Sequence, residues 1–376
     1  MHSLMSSSVA VTQYHCSEQP NSNSDLRDML RRHSFRPIDQ GVETKSVGWV
    51  SAADMLDSNF LAAPDIGEFL LFSLRIDLRK LNSAVLKKEV IVALKTEEEK
   101  NRQIGKKFIC RDRKKEIKEQ VTIRLLSHTY PIPKTVGVAW HLSENKVYFF
   151  SSNSKECDLF EELFTKTFDT GRDKYGISLN KIDFYGLATD CLPSEDAITL
   201  DSILSQYMLA PSQSDSSILG ADFLNYLWYT ADQGATFAAD DITNFSIAIG
   251  KSVTVSGEKG SLSATSSSFD LPEAIFGISK GKNVRSLSLT VETAEATKFQ
   301  AKLGESYTFS GVKLPKSESN SDEVDEDALI LERLFLLEQL ISMVSSAFMV
   351  FIKIRIDVSE WNKMEVAIRE WASNQY

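Results

Sequence analysis

The stretch from Leu329 to Ile356 constrains this chain most, because it is too apolar to face water and too charged to sit in lipid. Glu332, Arg333, Glu338, Gln339, Lys353 and Arg355 interrupt it, whereas a membrane span needs roughly 20 predominantly apolar residues with few or no charges. Ile330, Leu334, Leu337, Ile341 and Val344 recur at helical spacing. The segment therefore predicts a long helix buried against protein, with a large core to receive it. Val350, Ile352, Ile354 and Ile356 also alternate, which leaves helix and strand both open over 348–358. An acidic patch (Asp322, Glu323, Asp325, Glu326, Asp327) precedes the helix, where negative charge suits its dipole.

A chain of 376 residues, 42% of them hydrophobic, can supply two or three sub-structures with separate cores. Cys16, Cys110, Cys157 and Cys191 are widely spaced and form no CxxC, which fits a reducing, cytoplasmic compartment. Met1 to Ala10 lacks a basic region ahead of an apolar run, so no signal peptide is expected.

Val9 to Cys16 predicts a strand and Ser17 to Ser24 a polar loop. Ser24 stands where an N-cap belongs, ahead of a helix opening Asp25-Leu26-Arg27-Asp28-Met29-Leu30. Gly41 to Val50 reads as a loop with one apolar element, Gly48-Trp49-Val50. Glu68 to Leu78 ends in strand alternation. Ala84 to Arg102 and Arg111 to His128 predict two helices, parted at Gly105 and closed off by Pro131 and Pro133. Val136 to Leu142 and Lys146 to Ser151 predict a hairpin turning at Ser143-Glu144-Asn145, and Lys155 to Phe168 a helix. That order describes an α+β part, antiparallel sheets with flanking helices, over 1–193. Polar 194–217 reads as a linker. In 218–376, Phe245 to Val255 and Val284 to Glu292 predict strands around a Ser/Gly/Thr-rich stretch. Lys298 to Leu303 and Tyr307 to Leu314 predict a hairpin turning at Gly304-Glu305, and the long helix follows.

The net charge of -10 argues against nucleic acid if taken alone. Its distribution reverses that: Arg79 to Lys134 holds sixteen Lys or Arg against seven Asp or Glu, and this local +9 leaves -19 to the rest. Such asymmetry suggests one cationic surface on an acidic body. Its candidate DNA-binding residues are Lys87, Lys88, Lys95, Lys106, Lys107, Arg111, Arg113, Lys114, Lys115, Lys118, Arg124 and Lys134. On a helix Arg111, Lys115 and Lys118 share one face, apart from an apolar stripe of Ile117, Val121 and Leu125. Cations on rigid helices suit phosphate contacts, which carry no sequence code. A solvated face balanced by Glu97, Glu98 and Glu99 is the plainer alternative.

The N-terminal half resembles the RdgC family of recombination-associated proteins. The likeness rests on Phe35-Arg36-Pro37 leading to Val47-Gly48-Trp49-Val50, on the helical stretch from Arg79 to Leu126, and on the hairpin with Trp140. Leu125-Leu126-Ser127-His128-Thr129-Tyr130 is similar to the family's leucine-leucine-proline-arginine-alanine-phenylalanine. Likeness thins beyond Phe168, through Gly234-Ala235-Thr236-Phe237 and Ser286 to Thr290, to about Val344. Two departures stand out: Ser127-His128 loses a proline and a fixed positive charge, and the tail from Ser359 to Tyr376 has no counterpart. The resemblance implies a non-enzymatic, ring-shaped homodimer enclosing double-stranded DNA, associated with the nucleoid of a bacterial cell. It also implies competition with the RecA recombinase for DNA. No cofactor is implied. Ile330, Leu334, Leu337 and Ile341 are candidates for one dimer contact.

Tyr130 lies between the basic helix and Pro131-Ile132-Pro133, where a rigid turn would display it to DNA or a second subunit; a core position at a helix end is equally open. Trp49 and Trp140 sit in apolar runs and read as core. The five histidines show neither HxH nor HExxH spacing, and no metal site is expected from spacing. Glu98-Glu99-Lys100 matches half of a metal-dependent nuclease pattern, without an upstream Asp partner; Asp183 and Asp190 flank Phe184-Tyr185-Gly186 without support either. A metal-dependent DNA nuclease and an acidic protein-interaction scaffold therefore remain as alternatives to a duplex-DNA clamp.

Overall fold

The computed structural model describes residues 2–18, 23–61, 64–168, 176–207, 215–239, 242–257, 260–266, 271–315 and 325–375. Short α1 (His2–Met5) leads into β1 (Val9–Cys16), and α2 spans Asn23–Arg32. The helix thus includes Ser24, which the sequence put just outside it. The expected loop around Trp49 is instead a strand, β2 (Lys45–Ser51). Its β-branched and aromatic residues pair with a neighbour, and Gly48 lets the chain at Phe35 cross it closely. A Cβ at Gly48 would fall 2.3 Å from the Phe35 Cα. The fold continues through β3 (Asp65–Ile66), β4 (Phe69–Leu78), α3 (Ser83–Gln103), α4 (Arg111–Ser127), β5 (Ile132–His141), β6 (Lys146–Phe149) and α5 (Ser154–Phe168).

After β7 (Leu179–Lys181) come α6 (Phe184–Cys191), α7 (Ser194–Tyr207) and α8 (Asp215–Asp232). The stretch expected as a linker is therefore mostly helix, apart from 208–214, which lie outside the described residues. Leu200 and Leu204 of α7 are buried in the same core as α8, so packing continues across the expected boundary. Strands β8 (Thr236–Ala239), β9 (Ile242–Gly257) and β10 (Gly260–Thr265), helix α9 (Pro272–Ser279), and strands β11 (Asn283–Thr293), β12 (Lys298–Gly304) and β13 (Phe309–Lys313) follow. Strand β10 and helix α9 occupy the Ser/Gly/Thr-rich stretch. The chain closes with α10 (Glu326–Ile356) and α11 (Val358–Asn374). Helix wins over strand at Val350–Ile356, and the unmatched tail is a helix. Of the acidic patch, Asp325 caps α10 by accepting from the Asp327 N–H at 3.2 Å; Asp322 and Glu323 lie outside the described residues.

The strands form one antiparallel sheet in the order β10-β9-β11-β12-β13-β1-β6-β5-β4-β2, which makes the fold α+β as the sequence suggested. Strand β1 joins its halves: Val9 and Val11 pair with β13, and Thr12 to His15 with β6. Because strand side chains alternate between faces, the N-terminal half feeds two cores. Trp49, Trp140, Phe149, Phe160 and Phe164 fill one, under α2 and α5. Phe69, Leu71, Ala139 and Tyr148, on the other face, meet α10 in the second.

Helix α10 is, among the described residues, the one helix long and apolar enough to cross a membrane, but its apolar face is buried in that second core. The charges that break its apolar run tie it down. Arg333 donates to the Leu4 and Ser6 carbonyls, and Glu338 accepts from the Tyr148 hydroxyl at 2.9 Å. Arg355, 1% exposed, meets Asp222 of α8 at 2.9 Å and lies over the Trp361 ring. Ile330, Leu334, Leu337 and Ile341 are themselves buried, which removes them as a dimer contact.

Candidate nucleic-acid interface

Strands β4 and β5 pair as a hairpin as far as Leu78 and Ile132, and the connection between those residues is a helical arm instead of a turn. Asn82 starts α3 by accepting from the Ala84 N–H at 2.9 Å. Gly105, at φ 75°, allows the reversal that ends it. Helices α3 and α4 run antiparallel: Arg113 near the start of α4 meets Glu97 late in α3 at 2.7 Å, and Arg124 meets Glu89 at 3.0 Å. At 1.5 Å per residue, α3 reaches about 30 Å, close to one turn of duplex DNA. It buries no residue along that length, and α4 buries only Ile117 and Val121. The arm therefore projects from the sheet, bound to it mainly at its root.

The structure divides the twelve candidate cations into two groups. Lys87, Lys95, Lys106, Lys107, Arg111, Lys114 and Lys118 are exposed, and none of them is in an ion pair among the described residues. Lys88 and Lys115 reach Glu89 and Glu119 only at 3.9 Å and are also exposed. Arg113, Arg124 and Lys134 are engaged within the subunit, by Glu97 and Glu116, by Glu89, and by Glu156. Arg113 holds the Glu97 carboxyl below its ordinary range by hydrogen bonding, which in turn raises the guanidinium. Sequence counting treated these three as free because their partners lie across the arm or on α5. Arg111, Lys114, Lys115 and Lys118 lie on the exposed side of α4, next to the buried stripe of Ile117 and Val121.

Tyr130 is displayed, with 83% of its surface exposed, but it stands at the root of the arm where α4 passes into β5. The tip is formed by 104–110, with Ile104 and Phe108 exposed. Where the family's proline and arginine stand, Ser127 donates to the Arg124 carbonyl and His128 Nδ1 lies 2.8 Å from the same oxygen, closing the helix end. Beside the root lies a groove of about 610 Å³, floored by Ile76, Leu78, Ile132 and Leu159 and lined by both signs of charge, Lys45, Lys80, Lys134 and Lys155 with Glu156, Asp158 and Glu162. Lys45 and Lys155 are distant in sequence from the basic segment, so the charge count over it omitted them.

The nuclease candidates do not assemble into a site. Glu98, Glu99 and Lys100 are exposed on α3, and Asp183 caps α6 by accepting from the Gly186 N–H at 2.8 Å. Among the described residues, the group able to hold a metal is a different one: His141, Glu144 and Glu338. Trp49 and Trp140 are fully buried, as their apolar runs suggested.

Comparison with curated proteins finds no match. Residues 10–174 match the family model described as "Putative exonuclease, RdgC"; the thinner likeness through Val344 lies beyond that match. That match covers the arm, the strands that carry it and α5, so residues 10–174 of this chain are similar to the RdgC family.

Proposed function

We propose that this protein binds duplex DNA without reading its sequence, as a closed homodimer that modulates homologous recombination by competing with the RecA recombinase, and that it leaves the DNA uncut. The match of residues 10–174 to the RdgC family model supports a DNA-related function. The observation that carries the finer reading is the arm itself: seven exposed cations outside any ion pair among the described residues, five on two rigid helices and Lys106 and Lys107 in the connection between them. Phosphate contacts of this kind bind by counterion release and give no preference among sequences. A subunit with such an arm and an exposed apolar tip, Ile104 and Phe108, has the surface for a second copy. A closed two-fold pair is the commonest oligomer. On this reading the protein works in the cytoplasm, at the nucleoid.

Gel shifts on plasmid and linear duplex, with and without magnesium, test the proposal alongside light scattering. Binding by a dimer, without cleavage, is the expected result. Magnesium-dependent shortening of linear DNA would replace it with the exonuclease named in the family description. No binding at all would leave the acidic scaffold, and a DNA-binding monomer would remove the ring.

Tyr130 offers a second check. Tyr130→Ala is expected to leave the melting temperature nearly unchanged, since exposed substitutions stay within about 0.5 kcal/mol. It should speed loss of the protein from linear DNA more than from circular DNA, where an opened ring cannot slide off an end. A strongly destabilised mutant, or equal release from both forms, would end the claim for this residue.

A further inference from the structure

We propose that His141, Glu144 and Glu338 bind one divalent first-row transition-metal ion through the His141 Nδ1, with Glu68 holding the other imidazole nitrogen, and that the ion fastens α10 to the β5–β6 hairpin. One imidazole nitrogen of His141 and one carboxylate oxygen from each glutamate lie within 4.8 Å of one another. The three ligands come from elements that hold them still. His141 ends β5, Glu144 lies in the tight turn before β6, and Glu338 sits midway along buried α10.

The imidazole supplies the second, independent observation. His141 is 6% exposed; its Nε2 faces Glu68 Oε2 at 3.2 Å, and its Nδ1 is buried with no hydrogen-bond partner. A buried polar atom without a partner is rare in folded proteins, and an ion is one of the groups that accounts for it. Charge points the same way. Glu68, Glu144 and Glu338 converge on this one imidazole, with Lys146 as the cation beside Glu144. A divalent ion would offset that excess of carboxylates. The neighbours also suit an outer shell: Lys146 holds Glu144 Oε2 at 2.6 Å, and the Tyr148 hydroxyl holds Glu338 Oε1 at 2.9 Å. Each of these glutamates keeps its other oxygen for the ion. An imidazole among carboxylates favours zinc or manganese over magnesium or calcium, which prefer oxygen ligands alone.

The site is separate from the DNA-binding reading and is tested without DNA. Chelator-treated full-length protein, dialysed against Zn²⁺ or Mn²⁺, is expected to retain one ion per chain and to melt at a higher temperature with it. His141→Ala and Glu144→Gln should each weaken binding by about tenfold or more. His15→Ala, an exposed position on β1, should leave it unchanged. Glu144 is exposed, so its substitution keeps the test open should the buried His141 variant fail to fold. No retained ion in the wild type, or equal retention by wild type and Glu144→Gln, overturns the site.

Discussion

Reversing Arg111, Lys115 and Lys118 to Glu is expected to weaken duplex binding by roughly 10²–10³-fold near 0.1 M salt, and by the same factor on every sequence. All three residues are exposed on one face of α4, so the substitutions leave the Ile117 and Val121 packing untouched. Each lost phosphate contact removes about 0.9 from the slope of log affinity against log salt, so three should shallow it by about 2.7. Arg124 serves as the comparison, because it is already held by Glu89. Arg124→Ala should change the slope by less than one contact's worth. Filter binding across a salt series reads both quantities. A loss confined to one duplex sequence, or an unchanged slope, would show that the arm does not track the phosphate backbone.

Arg355→Met is expected to cost about 3 kcal/mol of stability at neutral pH, because breaking a buried pair leaves its partner's charge uncompensated. This is the lower end of the usual range, since the Asp222 side chain keeps 21% of its surface in water. Methionine preserves the packing of the stem, so the loss reports the charge rather than a cavity. The pH dependence carries the diagnosis. Burial pushes the Asp222 carboxyl up to about 6 against the pull of Arg355. A carboxyl raised on folding costs stability above about pH 6, and the cost is relieved as the pH falls toward about 4. Removing Arg355 raises the native carboxyl further. Below about pH 5 both proteins then hold Asp222 neutral, and the gap between them should narrow. Urea unfolding at pH 7.5 and pH 5 measures it. A gap that stays constant would mean that Arg355 stabilises through packing on Trp361 and not through Asp222.

The parts of this fold legible in the sequence are those set by local periodicity. Strands β1, β4, β5, β9, β11 and β12, and helices α3, α4 and α5, declared themselves within a residue or two at most ends. An exception at a start is β5, which begins at Ile132, ahead of the expected Val136, and β9 begins at Ile242, ahead of Phe245. Their side chains meet neighbours of the same element, so spacing alone reports them. The basic segment was legible for the same reason: its charges are contiguous in the chain.

What tertiary structure decided is everything that depends on a partner distant in sequence. Strand β2 carries a glycine that looks like a loop signal until Phe35 is seen crossing it. Helix α7 looks like a linker because few of its residues, Leu200, Ile203 and Leu204, are buried in seating it on the protein. Arg113 and Arg124 count as free cations in the sequence and are neutralised by Glu97 and Glu89 only once the arm folds back on itself. His141 and Glu338 lie on opposite sides of the chain's midpoint, and no spacing rule joins them; β1, paired on both its edges, brings the two halves into one sheet and α10 against the hairpin. Periodicity is a property of one element, whereas a site is a property of several, and long-range pairing is the step that a single sequence does not encode locally.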